Sequence, residues 1–156
     1  MTDSGKKPFK MMYTDIQPSQ LYISKEKLVK VKKIINPKDL SPLKAIPIKK
    51  IGQEIFYTDG HTRALAIYQA GFKEIPVIWE DEELDWEMYE ICIKWCKDAG
   101  IYSIADLGDK IIEQKDYEIL WYKRCDDLHK KLALKRVKIK HESSKIIIKN
   151  DFKNLD

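Results

Sequence analysis

The sequence predicts an α/β fold of the α+β kind, in which a small mixed sheet precedes a helical C-terminal part. Two observations indicate the sheet. The β-prone runs Ile46–Ile51 and Glu54–Thr58 flank the hairpin dipeptide Gly52-Gln53, and Ile75–Trp79 forms a third run. A third observation indicates the helices, because apolar residues recur at helical spacing throughout the second half of the chain.

Composition excludes several classes of protein. The chain has 156 residues, of which 44% are hydrophobic and 35% charged, as in one globular domain with an appendage. No apolar run approaches the roughly 18–20 residues of a membrane span, and the first residues lack a secretory signal. Three cysteines without an export signal favour reduced thiols. We therefore expect a cytoplasmic protein that does not enter a membrane.

Charge is distributed in three blocks. Residues 1–50 hold 12 basic and 4 acidic residues, residues 51–127 hold 8 and 18, and residues 128–156 hold 9 and 3. The largest block is therefore acidic, whereas a protein that reads duplex DNA concentrates its cations on one groove-facing element. Solvated lysine-rich faces explain the basic ends more simply, so DNA is not the favoured partner.

The N-terminal part of the chain is expected to begin with a flexible segment, residues 1–12, followed by the sheet domain, residues 13–80. Met11–Ile16 is predicted to be a short strand that closes at the turn around Pro18, because proline cannot donate to a strand ladder. Ser24 is a candidate N-cap for a helix over Lys25–Ile35.

Two further elements complete the predicted sheet domain. A short helix over Ala64–Ala70 is expected to end at Gly71, which can adopt the left-handed backbone of a C-cap. Pro76 lies within the last β-prone run, and because proline removes a ladder donor we expect that strand at an edge of the sheet.

The remainder of the chain is predicted to be a helical extension, residues 81–136, packed on the sheet domain, and a tail, residues 137–156. Helical periodicity and capping residues predict three helices, over Leu84–Ala99, Ile104–Ile112 and Tyr117–Leu134. The tail contains one β-prone run, Ile146–Ile148, and is otherwise expected to be loose.

The most informative stretch is the turn Asp59-Gly60-His61-Thr62-Arg63, which joins a strand directly to a helix. The start of a helix exposes unpaired N–H groups and the positive end of the macrodipole, which together favour an anion. Gly60 lets a ligand approach the backbone, Thr62 supplies a hydroxyl, and Arg63 can bind a phosphate through two N–H groups.

Two other side chains of this turn are candidates for chemistry. Asp59 lies at the carboxyl end of the strand, where it could hold Mg²⁺ or accept a proton from a hydroxyl group. His61 could donate to a phosphate or shuttle a proton near neutral pH. The alternative is a ligand-free capped turn, in which Asp59 simply accepts from backbone amides.

These residues resemble those of the ParB/sulfiredoxin superfamily over residues 13–80. The likeness lies in an ordered combination: the early proline turn at Pro18, the hairpin, the Gly60-x-x-Arg63 helix start, Gly71, and a following Ile-Pro-Val. The resemblance implies a ParB/sulfiredoxin-like topology and a nucleotide-phosphate site at the helix start. It makes Gly60 and Arg63 phosphate-binding candidates, in agreement with the residue chemistry.

Three branches of this superfamily differ at the turn. Sulfiredoxins carry Gly-Cys-His-Arg, but His61 replaces the reactive cysteine here, which excludes that activity. ParB partition proteins carry Gly-Glu-Arg-Arg, of which only Arg63 remains beside Gly60. Free-serine kinases carry Asp-Gly-His-His-Arg, which this chain resembles most. In those kinases a catalytic Glu follows the proline turn, and Gln20 aligns there; because an amide is no general base, Asp59 becomes the candidate base.

The resemblance implies a nucleotide-dependent phosphotransferase that acts on a small hydroxyl metabolite, as serine kinases do. ATP or ADP is the implied nucleotide, CTP is a further candidate, and Mg²⁺ could accompany the phosphates. Asp59 and His61 would be catalytic, Gly60, Thr62 and Arg63 would bind the phosphates, and Gln20 would belong to the substrate pocket. The alternative is a non-catalytic ParB-like module that binds a nucleotide or DNA.

Two other groupings admit a functional and a structural interpretation. Cys92 and Cys96, with Cys125 and His129, have helical spacing that could supply zinc ligands, but buried thiols are the simpler interpretation and no metal ligand is assigned. Aromatic residues of the C-terminal part could stack on a base, although helical spacing favours a place in the core. These residues are Trp86, Tyr89, Trp95, Trp121 and Tyr122.

Overall fold

The computed structural model describes the backbone of residues 6–153 and the side chains of residues 6–144. Four strands form one mixed sheet in the order β1-β5-β3-β4. The four strands are β1 (Phe9–Met12), β3 (Ile46–Ile51), β4 (Glu54–Tyr57) and β5 (Glu74–Trp79). A second, two-stranded sheet pairs β2 (Ile23–Ser24) with β6 (Ile111–Ile112) in parallel. The predicted α+β fold class is confirmed.

The hairpin of β3 and β4 follows from its turn. Gly52 adopts φ 59°, a left-handed backbone that suits glycine, and the antiparallel register pairs Ile51 with Glu54 and Ile48 with Tyr57. Ile46 and Ile48 are fully buried and alternate with the partly exposed Pro47 and Lys49. The predicted hairpin is therefore confirmed.

Strand β5 is an inner strand and not the predicted edge strand. Phe9–Met12 pairs antiparallel along one side of it, with Lys10 opposite Pro76, while β3 pairs in parallel along the other side. This error and the prediction of a flexible segment over residues 1–12 have one cause: the strand predicted over Met11–Ile16 instead spans Phe9–Met12, where it pairs with the strand that carries Pro76. Residues 1–5 of the segment lie outside the described residues.

Two helices form in the N-terminal half, and they pack against each other. Helix α1 (Lys25–Lys32) begins at Ser24, whose Oγ accepts from the Lys27 N–H as predicted, and ends earlier than expected. Helix α2 (His61–Gln69) begins three residues before the predicted Ala64, so that its first turn includes the last three residues of the polar turn. Its buried face, which includes Leu65 and Ile67, lies in the core.

The C-terminal part departs from the predictions after its first helix. Helix α3 (Trp86–Asp98) has Asp85 as its N-cap and corresponds to the predicted helix. The helix predicted over Ile104–Ile112 is instead a 3₁₀ segment, Ile104–Asp109, followed by strand β6. Its two β-branched isoleucines pair with β2 from the other half of the chain, a long-range contact that local periodicity does not encode.

The last part of the chain is helical almost without interruption. Helix α4 (Gln114–Tyr117), a π-helical turn (Glu118–Tyr122) and helix α5 (Lys123–Lys153) follow one another. The expectation of a loose tail from residue 137 with a β-prone run at Ile146–Ile148 is wrong for the described backbone. No glycine or proline occurs after residue 108, and a helix once nucleated propagates through such a sequence. Residues 154–156 lie outside the described part.

One hydrophobic cluster joins the sheet domain to the helical extension. Leu65 and Ile75 from the former belong to the same cluster as Trp121 and Leu132 from the latter. At the surface, Arg136 of α5 makes a bidentate hydrogen bond to Asp85, with N···O distances of 3.0 and 2.7 Å. Over the described residues, no helix combines the length and the apolar composition that crossing a membrane requires.

Replacing Gln17 by alanine tests the junction between these parts. The buried Gln17 amide donates to the carbonyls of Pro18 and Ile101, each at 2.9 Å, so Gln17→Ala removes a bridge across the core. We expect the free energy of unfolding in urea to fall by about 2–3 kcal/mol, because buried carbonyls lose their donor. The exposed Gln53→Ala is the control and should change it by less than about 0.5 kcal/mol. Equal effects of the two changes would contradict this account.

Candidate functional site

Every site residue predicted from the sequence lines a single cavity of about 520 Å³. The cavity lies between helix α1, the turn from β4 to α2, and the start of the C-terminal helix. Its lining consists of Gln20, Lys27, Lys30, Val31, Asp59, Gly60, His61, Thr62, Arg63, Tyr117, Trp121 and Tyr122. The fold therefore brings together the proline turn and the helix start, although they are about 40 residues apart in sequence.

Gly60 shapes the start of helix α2. Its backbone is left-handed, with φ 76° and ψ 21°, and its carbonyl accepts the first helical bond from the Ala64 N–H at 2.9 Å. As the N-cap, Gly60 has no side chain that could accept from the first-turn N–H groups, and no other side chain of the described residues caps them. The helix thus presents free donors and the positive end of its dipole to the cavity.

Arg63 folds back over this glycine. A Cβ atom added to Gly60 would lie 2.7 Å from the Arg63 Nη2 atom, so the glycine is required for the guanidinium to occupy its place. The Nη1 atom donates to the Lys44 carbonyl at 3.1 Å. Among the described residues no carboxylate lies within ion-pair distance of Arg63, as none of the ion pairs includes it. The remaining N–H groups are available to an anion.

His61 is buried, with 3% of its surface exposed, and its ring holds the proline turn in place. The Nε2 atom accepts from the Ser19 N–H at 2.9 Å, so in the neutral ring Nδ1 carries the proton. Burial lowers the pKa of His61 from 6.5 to about 4, an effect that the nearby Asp59 charge partly opposes. The ring is therefore uncharged near neutral pH, which does not suit the predicted proton shuttle.

The Nδ1 atom of His61 is an unusual feature of the cavity. It is fully buried and has no hydrogen-bond partner within the described part of the chain. A buried N–H without a partner costs about 1–3 kcal/mol. Although His61 lines the cavity, its Nδ1 atom has essentially no exposed surface, so a ligand in the cavity does not reach this donor in the present conformation. The role of donor to a phosphate stays a prediction.

The turn that carries Gln20 is fastened to the end of strand β4. Ser19 Oγ donates to the Tyr57 carbonyl at 2.7 Å, and the Tyr57 N–H donates to the Gln17 carbonyl at 3.0 Å. These bonds, together with the Ser19–His61 bond, fix the turn against the start of α2. The predicted turn at Pro18 therefore has a positioning role at the site.

Gln20 uses both hydrogens of its amide within the protein. Its Nε2 atom donates to the Tyr22 carbonyl at 2.8 Å and to the Tyr117 hydroxyl at 2.9 Å. A carboxylate could not donate these bonds, so an amide fits this position better than an acid. Gln20 thus lines the cavity as predicted and also ties the proline turn to the C-terminal helix.

Asp59 and Thr62 complete the set predicted from the turn. Asp59 is exposed and Thr62 half-buried, and both line the cavity. Asp59 is the only carboxylate among the lining residues described above, and its charge contributes to raising the pKa of Tyr89 to about 12, behind the larger effect of burial. Tyr89 itself donates to the Thr58 carbonyl at 2.9 Å, which supports the backbone just before Asp59.

Sequence reasoning missed two lysines of helix α1. Lys27 and Lys30 line the cavity, and Lys27 donates to the Tyr122 hydroxyl while its Nζ lies 5.1 and 4.7 Å from the ring centroids of Tyr117 and Tyr122. The sequence pattern that could have identified them is their i,i+3 spacing, which places both lysines on one face of the helix. Only the packing of α1 on α2 shows that this lysine face borders the site.

The cysteine grouping is structural, whereas two members of the aromatic grouping, Trp121 and Tyr122, line the cavity. Cys92 and Cys96 are buried, and burial raises the pKa of each thiol to about 12, so both are protonated near neutral pH. Within the described residues, no group of three or more His, Cys, Asp or Glu side chains could hold a metal ion. Trp95 and Trp121 pack edge to face between the C-terminal helices, with ring centroids 6.3 Å apart.

Comparisons with known proteins assign no family. No family model matches the chain, and no curated protein matches it. Among solved structures, the crystal structure of protein Atu1540 from Agrobacterium tumefaciens aligns with a TM-score of 0.39 at 11% identity. That alignment covers 62% of this chain and 50% of Atu1540, so the chain spans about half the length of that protein.

The requirement for glycine at the helix start can be tested with a matched pair of variants. Gly60 and Gly100 both have left-handed backbones, with φ 76° and 79°, but only at Gly60 would a Cβ meet other atoms. We expect Gly100→Ala to lower the free energy of unfolding by about 1–2 kcal/mol from backbone strain alone. Gly60→Ala should cost about 1 kcal/mol more, because the buried Ile46, 3.0 Å from the added Cβ, must give way, whereas the flexible end of Arg63 can move aside at little cost. Equal losses in urea denaturation would contradict the close packing of Ile46 on Gly60.

The burial of His61 predicts a loss of stability in mild acid. Its pKa is 6.5 when exposed and about 4 in the fold, so between these values the unfolded state binds more protons. The free energy of unfolding should therefore rise with pH from about 4 to about 6.5, by up to about 3 kcal/mol, and then level off. Urea denaturation across this range measures it.

The control for this measurement is His61→Gln, which keeps an acceptor for the Ser19 N–H but cannot titrate. The difference between the two pH profiles isolates His61 from the carboxylates that titrate in the same range. A wild-type profile no steeper than that of His61→Gln would show that the ring is not buried in its neutral form.

Proposed function

We propose that the protein binds a nucleotide through its phosphates at the N-terminus of helix α2. The observation that supports this most directly is the charge of the cavity. Three cations, Lys27, Lys30 and Arg63, line it together with the uncapped start of the helix, and Asp59 is the single carboxylate among its described lining residues. Such a site favours an anion with several negative charges.

The cations differ in how much they are already engaged. Arg63 has no carboxylate partner among the described residues, and the Lys27 ammonium group there has hydrogen-bond and cation–π partners that are tyrosines. Lys30 forms an exposed i,i+4 ion pair with Glu26 at 3.6 Å, which is worth little in water. A phosphate could therefore engage all three cations without breaking a strong protein contact.

The size of the cavity favours a ligand larger than inorganic phosphate. Its volume of about 520 Å³ lies within the range of roughly 300–1,000 Å³ that is typical of small-molecule sites. The resemblance of the turn Asp59–Arg63 to the ParB/sulfiredoxin superfamily points to a nucleotide in this position. ATP and ADP are the proposed ligands, with CTP as a further candidate.

We further propose that the bound nucleotide donates a phosphoryl group to a small hydroxyl metabolite. The bond from phosphorus to the leaving phosphate oxygen breaks, a bond from phosphorus to the acceptor oxygen forms, and Asp59 accepts the hydroxyl proton. Arg63, Thr62 and the N–H groups of α2 would stabilise the charge on the transferred group. Mg²⁺ is usually held by one or two carboxylates plus phosphates, and Asp59 fits that pattern.

A non-catalytic nucleotide- or DNA-associated module is the second candidate, and two observations favour it over a kinase. Both amide hydrogens of Gln20 are committed to protein acceptors, where the serine kinases have an acid. In addition, the Nε2 atom of His61 is occupied and its ring is neutral, so it cannot act as an acid near neutral pH. Asp59 alone would then have to serve the chemical step.

Calorimetric titration and thermal shift with ATP, ADP, CTP and GTP, each with and without Mg²⁺, test the binding proposal. At about 100 times its Kd a ligand adds about 2.7 kcal/mol of stability, which should raise the Tm by about 5–10 °C. Arg63→Ala should weaken binding by about 10- to 100-fold, because charge-assisted hydrogen bonds are lost. Arg124→Ala is the matched control, since this exposed arginine lies outside the cavity, over the Trp95 ring.

A turnover assay with the stabilising nucleotide then separates the two candidates. For a kinase, Asp59→Asn should abolish transfer to serine or another small alcohol while leaving the affinity for the nucleotide without Mg²⁺ within about threefold. For the binding module, no transfer occurs with either protein, and duplex DNA should bind with a steep dependence on salt. If no nucleotide shifts the Tm of the wild type, the binding proposal is wrong.

A further inference from the structure

The C-terminal helix changes its hydrogen-bonding pattern where it borders the cavity. Residues Glu118–Tyr122 form a π-helical turn between α4 and α5. Such turns are uncommon, because their i→i+5 pattern is less favourable than that of an α-helix, and they occur frequently at functional sites. The sequence contains no proline or glycine that would force one here.

The π turn determines which aromatic side chains face the cavity. In a regular α-helix, Tyr117 and Tyr122 would be separated by about 140° around the axis and could not share a wall. In a π turn, residues five apart lie nearly above one another. Tyr117 and Tyr122 accordingly meet at a centroid distance of 4.9 Å, and both line the cavity together with Trp121.

These three rings differ in how accessible they are. Tyr117 is 3% exposed and Trp121 7% exposed, whereas 41% of Tyr122 is open to solvent. The Tyr117 hydroxyl also accepts a hydrogen bond from the Gln20 amide. The wall therefore consists of two buried rings and one accessible ring, which contacts Tyr117 and lines the same cavity as the turn Asp59–Arg63.

Lys27 connects this aromatic wall to the cationic side of the cavity. Its ammonium group lies over both tyrosine rings and donates to the Tyr122 hydroxyl. No carboxylate pairs with it among the described residues, so its charge is balanced only by the faces of the rings. A phosphate could draw Lys27 away from those faces, and the faces would then be free for a planar group.

We infer that Tyr122, which ends the π-helical turn and packs against Tyr117, forms the subsite for the nucleobase together with Trp121. This inference rests on the proposed nucleotide-binding function and adds to it the part of the chain that holds the base. The ligand would bridge the cavity, with its phosphates at α2 and its base on the aromatic wall. Because every base has a π-face, such a wall recognises the nucleotide class more than one particular base.

Calorimetric titration of four proteins with ATP and with inorganic tripolyphosphate tests this inference. The proteins are the wild type, Tyr122→Leu, Tyr122→Phe and Tyr102→Leu. Tyr122→Leu should weaken ATP by about 5- to 150-fold, the effect of losing one stacked base, and leave tripolyphosphate within about twofold. Tyr122→Phe keeps the ring and should retain most of the ATP affinity. Tyr102→Leu removes a tyrosine that is 59% exposed outside the cavity and should change neither affinity.

The two ligands distinguish failure of this inference from failure of the proposed function. If Tyr122→Leu leaves ATP affinity unchanged, or weakens ATP and tripolyphosphate equally, the base does not rest on Tyr122 and the inference is overturned. In that case binding of tripolyphosphate that depends on Arg63 still supports the phosphate site. If the wild type binds ATP no more tightly than it binds tripolyphosphate, the inference is likewise overturned. If it binds neither, both proposals are wrong.

Discussion

The hydrogen bond from the Ser19 N–H to the buried ring of His61 is the contact on which the site depends. It joins two segments that are far apart in sequence, the proline turn and the first residue of helix α2. Once the turn is fixed, Gln20 can reach the Tyr117 hydroxyl, and Tyr117 in turn sets the position of Tyr122. The ring accepts this bond only while it is neutral. The role of His61 is therefore to hold the proline turn against helix α2, and not to transfer a proton.

The electrostatic character of the cavity arises from N–H donors and a cation that have no acidic partner in this arrangement. The helix start has no side-chain cap within the described residues, and Arg63 there has only a backbone carbonyl as acceptor. Unpaired donors and cations in one place lower the stability of a fold unless a ligand or water satisfies them. The same unpaired groups, the N–H groups of the helix start and the Arg63 guanidinium, are those that would bind a phosphate.

Much of the candidate site was predictable because it is local. The residues from Asp59 to Arg63 are contiguous, and the physical reasons for an anion site at such a turn apply to any strand that leads into a helix. The role of Gln20 was predicted only in part. Its place in the cavity followed from the resemblance. Its two donated hydrogen bonds, however, go to the Tyr22 carbonyl and to the Tyr117 hydroxyl, and Tyr117 is 97 residues away in the sequence. His61 shows the same limit, since the pKa of an imidazole depends on burial, and burial is a property of the whole fold.

The sequence by itself determined the α+β class, the hairpin at Gly52, the cap at Ser24 and the strand-to-helix turn at Gly60. Each of these rests on backbone preferences of residues that are neighbours in the chain. The tertiary structure alone decided that β1 covers Pro76, that β6 pairs with β2, and that Lys27 meets Tyr122, a residue 95 positions later. Such contacts depend on how helices and strands pack, and packing free energy is summed over the whole core and not over any local segment.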